Sequence, residues 1–150
     1  MSAVLTPSVD NYVAAARRHY DDARVLLADG RKANAGQLFG FTMECGLKAL
    51  LIACGVTPDA DGSVPSGGKF RQHMPSLSDR INTFGHLIPD GPKAQTYLAK
   101  IPGRTHFQNW SVDHRYCREV DVPLTSLPAW ESAAKELNEM LDQAKTDGVM

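Results

Sequence analysis

Apolar residues recur at steps of three and four along the first part of the chain. Between Tyr12 and Leu27 they fall on one side of a helix, while arginines and aspartates fall mostly on the other. Ser8 or Asp10 is placed to cap this helix by accepting bonds from free backbone N–H groups, and Gly30 is placed to end it. The pattern therefore predicts an amphipathic helix between these signals.

A second segment follows after a short link and is apolar on nearly every side. It is predicted to run as a helix from about Lys32 to Cys54, ended by Gly55 and Pro58. Such a helix lies at the centre of its domain, and the short link makes it antiparallel to the first. Each internal glycine costs about 1 kcal/mol, which close approach of a neighbouring helix or a partner subunit would offset. These glycines are Gly36, Gly40 and Gly46.

The remaining chain is predicted to alternate irregular segments with shorter helices. Residues 56–75 are rich in Gly, Pro, Ser and Asp, which indicates a loop, and loops of this length are often functional. Residues 102–125 break helical periodicity and concentrate His, Arg and aromatic side chains. The predicted helices run from Ser76 or Ser78 to near Gly85, from Gly91 to Lys100, and from Leu127 to about Lys145, the last one capped by Ser126.

These elements predict an all-α, up-down bundle of four to five helices with two long irregular loops. The chain of 150 residues fits one domain, which we assign to residues 8–146, with a loose tail at 1–7 and a frayed end at 147–150. The hydrophobic fraction of 43% and the charged fraction of 22% are near the averages for globular chains, so one buried core is feasible.

Charge and cysteine content narrow the class of protein. With 16 basic and 17 acidic residues and a net charge of -1, no strong overall field draws the chain to nucleic acid or to anionic lipid. The three cysteines include no CxxC motif, which favours reduced thiols and a cytoplasmic location. We find no secretory signal and no stretch apolar enough to span a membrane. No cofactor or metal site is predicted, since His106, His114 and Cys117 lack the spacing of zinc ligands.

Two charged residues interrupt the apolar central helix. Glu44 and Lys48 are one turn apart and share a face, so they form either a solvated ion pair or part of a polar network. Because an unpaired buried charge is very costly, Glu44 would meet His73 or Arg115, and Lys48 would meet Asp113. Such a network is either structural or a pocket. The candidate ligand-binding residues are Glu44, Lys48, His73, Trp110, Asp113, Arg115 and Tyr116.

Three short segments carry a resemblance to a known family. They are ECGLKALL at 44–51, HMPSL at 73–77 and WSVDHRY at 110–116. With the small-residue, Leu-rich pattern that precedes them, they resemble the HEPN domain family across roughly residues 11–116. The resemblance implies a bundle of four or five helices, built on two long antiparallel helices, that usually forms a homodimer. Many members are RNases, often toxins paired with a nucleotidyltransferase-type antitoxin; others bind nucleotides or RNA, or act as interaction modules.

The RNase motif of that family is an arginine, four to six residues and a histidine. RINTFGH, from Arg80 to His86, matches it literally. Two observations favour a chance match: an isoleucine follows the arginine where a polar residue is common, and the six-residue step places the two side chains about 120° apart on an ideal helix. Arg80 and His86 are nevertheless kept as candidate catalytic residues, beside a second group that consists of Lys48, His73 and Arg115.

Three functions follow from these residues and the resemblance. The first is a nucleotide- or RNA-binding module, acting in defence, in a stress response or with a nucleotidyltransferase-type partner. The second is a metal-independent endoribonuclease toxin. The third is a scaffold whose polar residues are purely structural. A loss of stability in Lys48→Ala and Arg115→Ala variants would separate a structural network from a pocket.

Overall fold

The computed structural model describes residues 8–150, so the tail predicted at residues 1–7 lies outside the described range. Five α-helices joined by 3-10 turns and loops form this part of the chain, and it contains no strand. The all-α prediction is confirmed. The helices are α1 (Val9–Ala28), α2 (Lys32–Ala53), α3 (Ser76–Phe84), α4 (Gly91–Leu98) and α5 (Leu127–Thr146).

Helix α1 follows the predicted signals at both ends. The Ser8 hydroxyl accepts a hydrogen bond from the Asn11 amide at 3.2 Å, so Ser8 rather than Asp10 is the cap. The helix ends before Gly30, whose φ of +77° lies in the left-handed region that glycine adopts at little cost. Its buried face, which includes Tyr20, packs most extensively against α2.

Helix α2 is the central element of the bundle. Side chains on most of its circumference are buried, and it contacts α1, α4, α5 and the segment 102–126. Since only residues 29–31 link α1 to α2, the two helices form the predicted antiparallel hairpin. One stripe of α2 is only half-buried, and it consists of Leu38, Phe41, Cys45 and Ile52.

Three glycines of α2 form notches that side chains of the same chain fill. The pairs are Gly36 with Trp130, Gly40 with Trp110, and Gly46 with Leu137. A Cβ added to Gly36 would lie 2.9 Å from the Trp130 ring, and one added to Gly40 would overlap the Trp110 indole. Two of the three partners lie on α5, so the predicted close approach of a neighbouring helix is confirmed. Because Gly36 and Gly40 are filled from within the chain, they give no support to a partner subunit at this place.

Helix α5 buries the predicted stripe against α2, but its N-terminus differs from the prediction. The prediction that Ser126 caps the helix is wrong: its side chain makes no cap bond and instead accepts a hydrogen bond from the Asn109 amide group at 2.6 Å. At the other end, where fraying is predicted, the Val149 amide donates to the Ala144 carbonyl at 2.9 Å. Val149 and Met150 pack against the core. The buried residues of α5 are Leu127, Trp130, Ala133, Ala134, Leu137, Met140, Leu141 and Ala144.

Buried apolar side chains anchor both irregular segments. Val64, Phe70 and Met74 do so in the loop 56–75, and Phe107 and Trp110 do so in the segment 102–126. The second segment is a series of 3-10 turns, which have three residues per turn, and this explains why helical periodicity fails there. The turns are Pro102–Thr105, Val112–Tyr116, Glu119–Asp121 and Leu124–Ser126.

Candidate functional site

Glu44, Lys48 and His73 form one polar cluster on the central helix. Lys48 Nζ lies 3.0 Å from Glu44 Oε2, and His73 Nδ1 lies 2.8 Å from Glu44 Oε1. The side chains of Glu44 and Lys48 are 9% and 11% exposed, whereas that of His73 is 57% exposed. A buried ion pair therefore lies beneath an accessible imidazole, and of the two partners predicted for Glu44, His73 is the one that reaches it.

Local structure explains how these three side chains meet. Residues 44 and 48 are one helical turn apart, so their ion pair forms within α2. His73 lies near the end of the loop 56–75, where Phe70 and Met74 are buried and hold the chain in place. The His73 carbonyl also accepts a hydrogen bond from the Leu77 amide at 3.0 Å. The imidazole is thus fixed between buried apolar anchors and the first turn of α3.

The bonding pattern assigns the protons of the cluster. A carboxylate only accepts hydrogen bonds, so Nδ1 of His73 donates to Glu44; when the ring is neutral, this leaves the lone pair on Nε2. A carboxylate that orients an imidazole in this way suits a histidine to act as a general base. Lys48 places a positive charge on the other oxygen of the same carboxylate. The cluster therefore has the chemistry for proton transfer as well as for holding the loop.

The predicted residues of the WSVDHRY segment divide between core and surface. Trp110 is 2% exposed and its Nε1 donates to the Gly36 carbonyl at 2.9 Å, so it is a core aromatic and not a base-stacking residue. Arg115 and Tyr116 lie on the surface, with the guanidinium carbon 4.8 Å from the centre of the Tyr116 ring. Tyr116 is 77% exposed, and Asp113 is exposed as well.

The Glu44 cluster and the WSVDHRY segment lie at different levels of α2. The segment docks where the Gln37 side-chain amide donates to its backbone at 3.1 Å. Glu44 lies seven residues further along, about 10 Å at 1.5 Å per residue. The predicted contacts of Glu44 with Arg115 and of Lys48 with Asp113 are therefore wrong for the described chain: both charges are already paired within their own cluster. Asp113 and Arg115 are exposed on the docked turn.

Arg80 and His86 both lie beside the ring of Phe84. The Arg80 guanidinium carbon is 5.9 Å from the ring centre, and the His86 ring centre is 6.3 Å from it. Helix α3 ends at Phe84, so His86 belongs to the 3-10 turn that follows, as the position of Gly85 predicts. Lys69 Nζ is 4.9 Å from the same ring. The two candidate catalytic residues thus share a basic surface around Phe84.

Sequence reasoning misses two polar residues beside the central helix. Gln37 is buried and fixes the docked turn; its place seven residues before Glu44, on the same helix face, was the available signal. The imidazole of His19, on α1, lies beside the Phe41 ring, and the two ring centres are 5.7 Å apart. Burial, and then the charge of Arg18, lowers the pKa of His19. The register between α1 and α2 brings His19 there, and no sequence pattern specifies that register.

The cysteines are thiols in this structure. Burial raises the pKa of Cys45 and of Cys54 to about 11, so both thiols are neutral near neutral pH. Cys117 is exposed and also free. Within residues 8–150, no group of three or more His, Cys, Asp or Glu side chains is arranged to hold a metal ion.

Comparison with known proteins finds no matching family model, no matching curated protein and no matching solved structure. The fold and the site themselves define the class of the protein as an all-α helical bundle with a polar cluster on its central helix. The HEPN resemblance stays a prediction that depends on the three segments quoted above. None of the helices in the described part of the chain is both long and apolar enough to cross a membrane.

Proposed function

We propose that the chain is a HEPN-like module that binds RNA or nucleotides. The supporting observation is the pair formed by Arg115 and Tyr116, which stack on each other on an exposed turn. Such a pair offers a flat face to a base and a positive charge to a phosphate. Gln37 and Trp110 bind the same segment to α2, so the pair is presented by a fixed backbone.

Local charge favours the same surface. Between residues 104 and 118 the chain carries basic or imidazole side chains against a single acid, Asp113. Positive charges of this kind supply phosphate contacts even in a chain whose net charge is -1. Among them, Arg115 is the side chain that we expect to contact phosphate, because Arg104 donates to backbone carbonyls and Arg118 pairs with an aspartate.

The test is fluorescence anisotropy with a short, labelled single-stranded RNA, with ATP as competitor, at one fixed ionic strength. Tyr116→Ala is expected to weaken RNA binding by about 5- to 150-fold, the factor for a stacking loss of about 1–3 kcal/mol. Arg118→Ala is the matched control, because this arginine is 81% exposed in the same segment and pairs with Asp121 at 3.2 Å. Equal losses in both variants would show that binding does not depend on the Arg115–Tyr116 pair in particular, and a parent protein that binds neither RNA nor ATP refutes the proposal.

A second function, metal-independent RNA cleavage, is favoured by the Glu44–His73 hydrogen bond. His73 would serve as the base at a 2′-hydroxyl, and Lys48 would stabilise negative charge at the phosphate. The literal motif, Arg80 and His86, is the rival group. Incubation of RNA with protein in EDTA decides between them: loss of cleavage only in His73→Ala places the chemistry at the Glu44 cluster. Loss only in the double variant Arg80→Ala/His86→Ala places it at the motif, and intact RNA with the parent protein rules out both.

The third function, a scaffold without a ligand, has its own signature. It is supported if RNA and ATP fail to bind while Lys48→Ala lowers the free energy of unfolding by a few kcal/mol, as expected for a broken buried ion pair. Arg115→Ala should leave stability nearly unchanged in every case, because its side chain is exposed.

We propose that the homodimer implied by the resemblance would form through the half-buried stripe of α2. Cys45 lies midway between Leu38 and Ile52, so an antiparallel contact about a two-fold axis at Cys45 places Leu38 beside Ile52 of the second copy. Phe41→Glu is expected to give a monomer in analytical ultracentrifugation. Val25→Glu, at a valine of α1 that is 69% exposed, is the control. A parent protein that sediments as a monomer at high concentration contradicts the dimer.

A nucleotidyltransferase-type antitoxin partner and a cytoplasmic role in defence or stress belong to the same proposal. The toxin form of it predicts growth arrest on expression of the chain. Relief of that arrest by co-expression of a nucleotidyltransferase-type protein encoded beside it would support the partner. Normal growth at high expression would count against the toxin.

A further inference from the structure

The turn that carries Arg115 and Tyr116 is closed by a histidine at a position that usually holds glutamate or glutamine. The Ser111 hydroxyl accepts a hydrogen bond from the Asp113 amide at 3.1 Å, and His114 Nδ1 accepts one from the Ser111 amide at 3.3 Å. These reciprocal bonds form a capping box at the start of the turn Val112–Tyr116.

A histidine in this role differs from glutamine in one respect. Nδ1 accepts the Ser111 N–H only through its lone pair, so the imidazole must be neutral with its proton on Nε2. A protonated ring has a donor on both nitrogens and no acceptor. It would therefore set two N–H groups against each other and open the capping box, leaving the Ser111 amide without this partner.

We propose that His114 is a positioning residue for the Arg115–Tyr116 pair, and that protonation of its imidazole weakens ligand binding at that pair. The inference depends on the proposed RNA- or nucleotide-binding function. The His114 carbonyl also accepts the Cys117 amide at 3.0 Å, so the residue bonds the backbone both before and after the pair. Opening the capping box releases the first of these two attachments.

Two uncharged side chains from packed elements lie beside the turn that carries His114. Along the turn its charged neighbours are Asp113 and Arg115. Helices α5 and α2 pack against this turn. The centre of the Trp130 ring of α5 lies 6.5 Å from the centre of the His114 imidazole, and the uncharged Gln37 of α2 contacts the turn. Neither the indole nor the amide titrates between pH 5 and pH 8, so neither changes its charge together with the imidazole.

The experiment compares the parent protein with His114→Gln, which keeps a side-chain acceptor that does not titrate. RNA affinity is measured by anisotropy between pH 8 and pH 5, the interval in which histidines charge. The ratio of the His114→Gln affinity to the parent affinity is expected to rise by about fivefold as the pH falls, the factor for a cap of about 1 kcal/mol. His106→Gln, at an exposed histidine of the same segment, is the control and should keep a constant ratio.

The Ser111 amide gives a readout that needs no RNA. In the parent, its NMR amide resonance should shift and lose protection over this pH interval, and in His114→Gln it should stay unchanged. Parallel behaviour of the two proteins overturns the inference. If the amide responds as expected but no RNA or nucleotide binds at pH 8, the capping switch is real and the proposed binding function fails, so the two failures are distinguishable.

Discussion

Replacing Gly40 by alanine adds a methyl group where the Trp110 indole already lies. The new Cβ would overlap Cε2, Cζ2 and Nε1 of the ring, which is buried and has little room to move. Overpacking of this kind costs about 1–3 kcal/mol. Displacing the ring from the Gly36 carbonyl leaves Nε1 without its partner, at about 1–3 kcal/mol more. Alanine returns about 1 kcal/mol of helix propensity, so the expected net loss of unfolding free energy is about 3 kcal/mol.

Urea unfolding, followed by tryptophan fluorescence and circular dichroism, measures this loss as a lower midpoint at unchanged m. Two further glycines complete the series. Gly36→Ala would put its Cβ 2.9 Å from the Trp130 ring and should cost less, whereas Gly85→Ala meets nothing within 4 Å and should change stability little. A Gly40→Ala protein as stable as Gly85→Ala would refute the packing of Trp110 into this notch.

The remaining predictions concern the buried polar groups. Glu44→Gln should lower the free energy of unfolding by about 3 kcal/mol, because it leaves Lys48 buried without its counter-charge. Adding Lys48→Met should restore most of this loss. A urea midpoint of Glu44→Gln equal to that of the parent would contradict burial of the pair. Trp110→Phe should cost about 2–3 kcal/mol in the same assay through a lost hydrogen bond and a smaller ring, and no loss would sink that assignment. The Tyr97 hydroxyl donates a hydrogen bond to the Asp147 carboxylate at 2.5 Å. This bond is the first cause, and the Gln143 amide the second, of a lowered pKa of Asp147. The same bond raises the pKa of Tyr97 to about 12. A carboxyl group whose pKa is lowered in the folded state stabilises the protein at pH values above its pKa in the unfolded chain, and this stabilisation is lost as the pH falls through the folded-state pKa. The melting temperature of Tyr97→Phe should therefore fall less than that of the parent between pH 7 and strongly acidic pH.

The helices were predictable because their signals are local. In α1, spacing at three and four residues and the Ser8 cap are both read directly from neighbouring positions. In α2, an apolar surface on nearly every side indicates burial without reference to any partner. The prediction for Ser126 failed because it depended on local sequence alone. A serine before an apolar stripe predicts a helix cap, but the Ser126 hydroxyl instead accepts a hydrogen bond from Asn109, 17 residues earlier. That competition is a tertiary contact, which local patterns do not contain.

The candidate site was predictable to the same depth. The Glu44–Lys48 pair follows from helix geometry alone. The sequence left His73 and Arg115 as equal partners for Glu44, and the choice depends on where each irregular segment docks. The position of Trp110 determines which partner reaches Glu44. Insertion of its ring at Gly40 holds the segment 102–126, which includes Arg115, at the N-terminal half of α2. A glycine and a tryptophan so far apart in the chain give no local sign of this contact.

The notch at Gly40 has a consequence for recognising relatives of this chain. The hydrogen bond from Trp110 to the Gly36 carbonyl joins residues 74 positions apart, and it exists only while position 40 lacks a side chain. In homologous sequences, positions 40 and 110 should therefore change together: a larger residue at one requires a smaller one at the other. Such paired substitution would persist where single-position identity has faded, and would trace common descent among chains whose loops and surface charges no longer resemble one another.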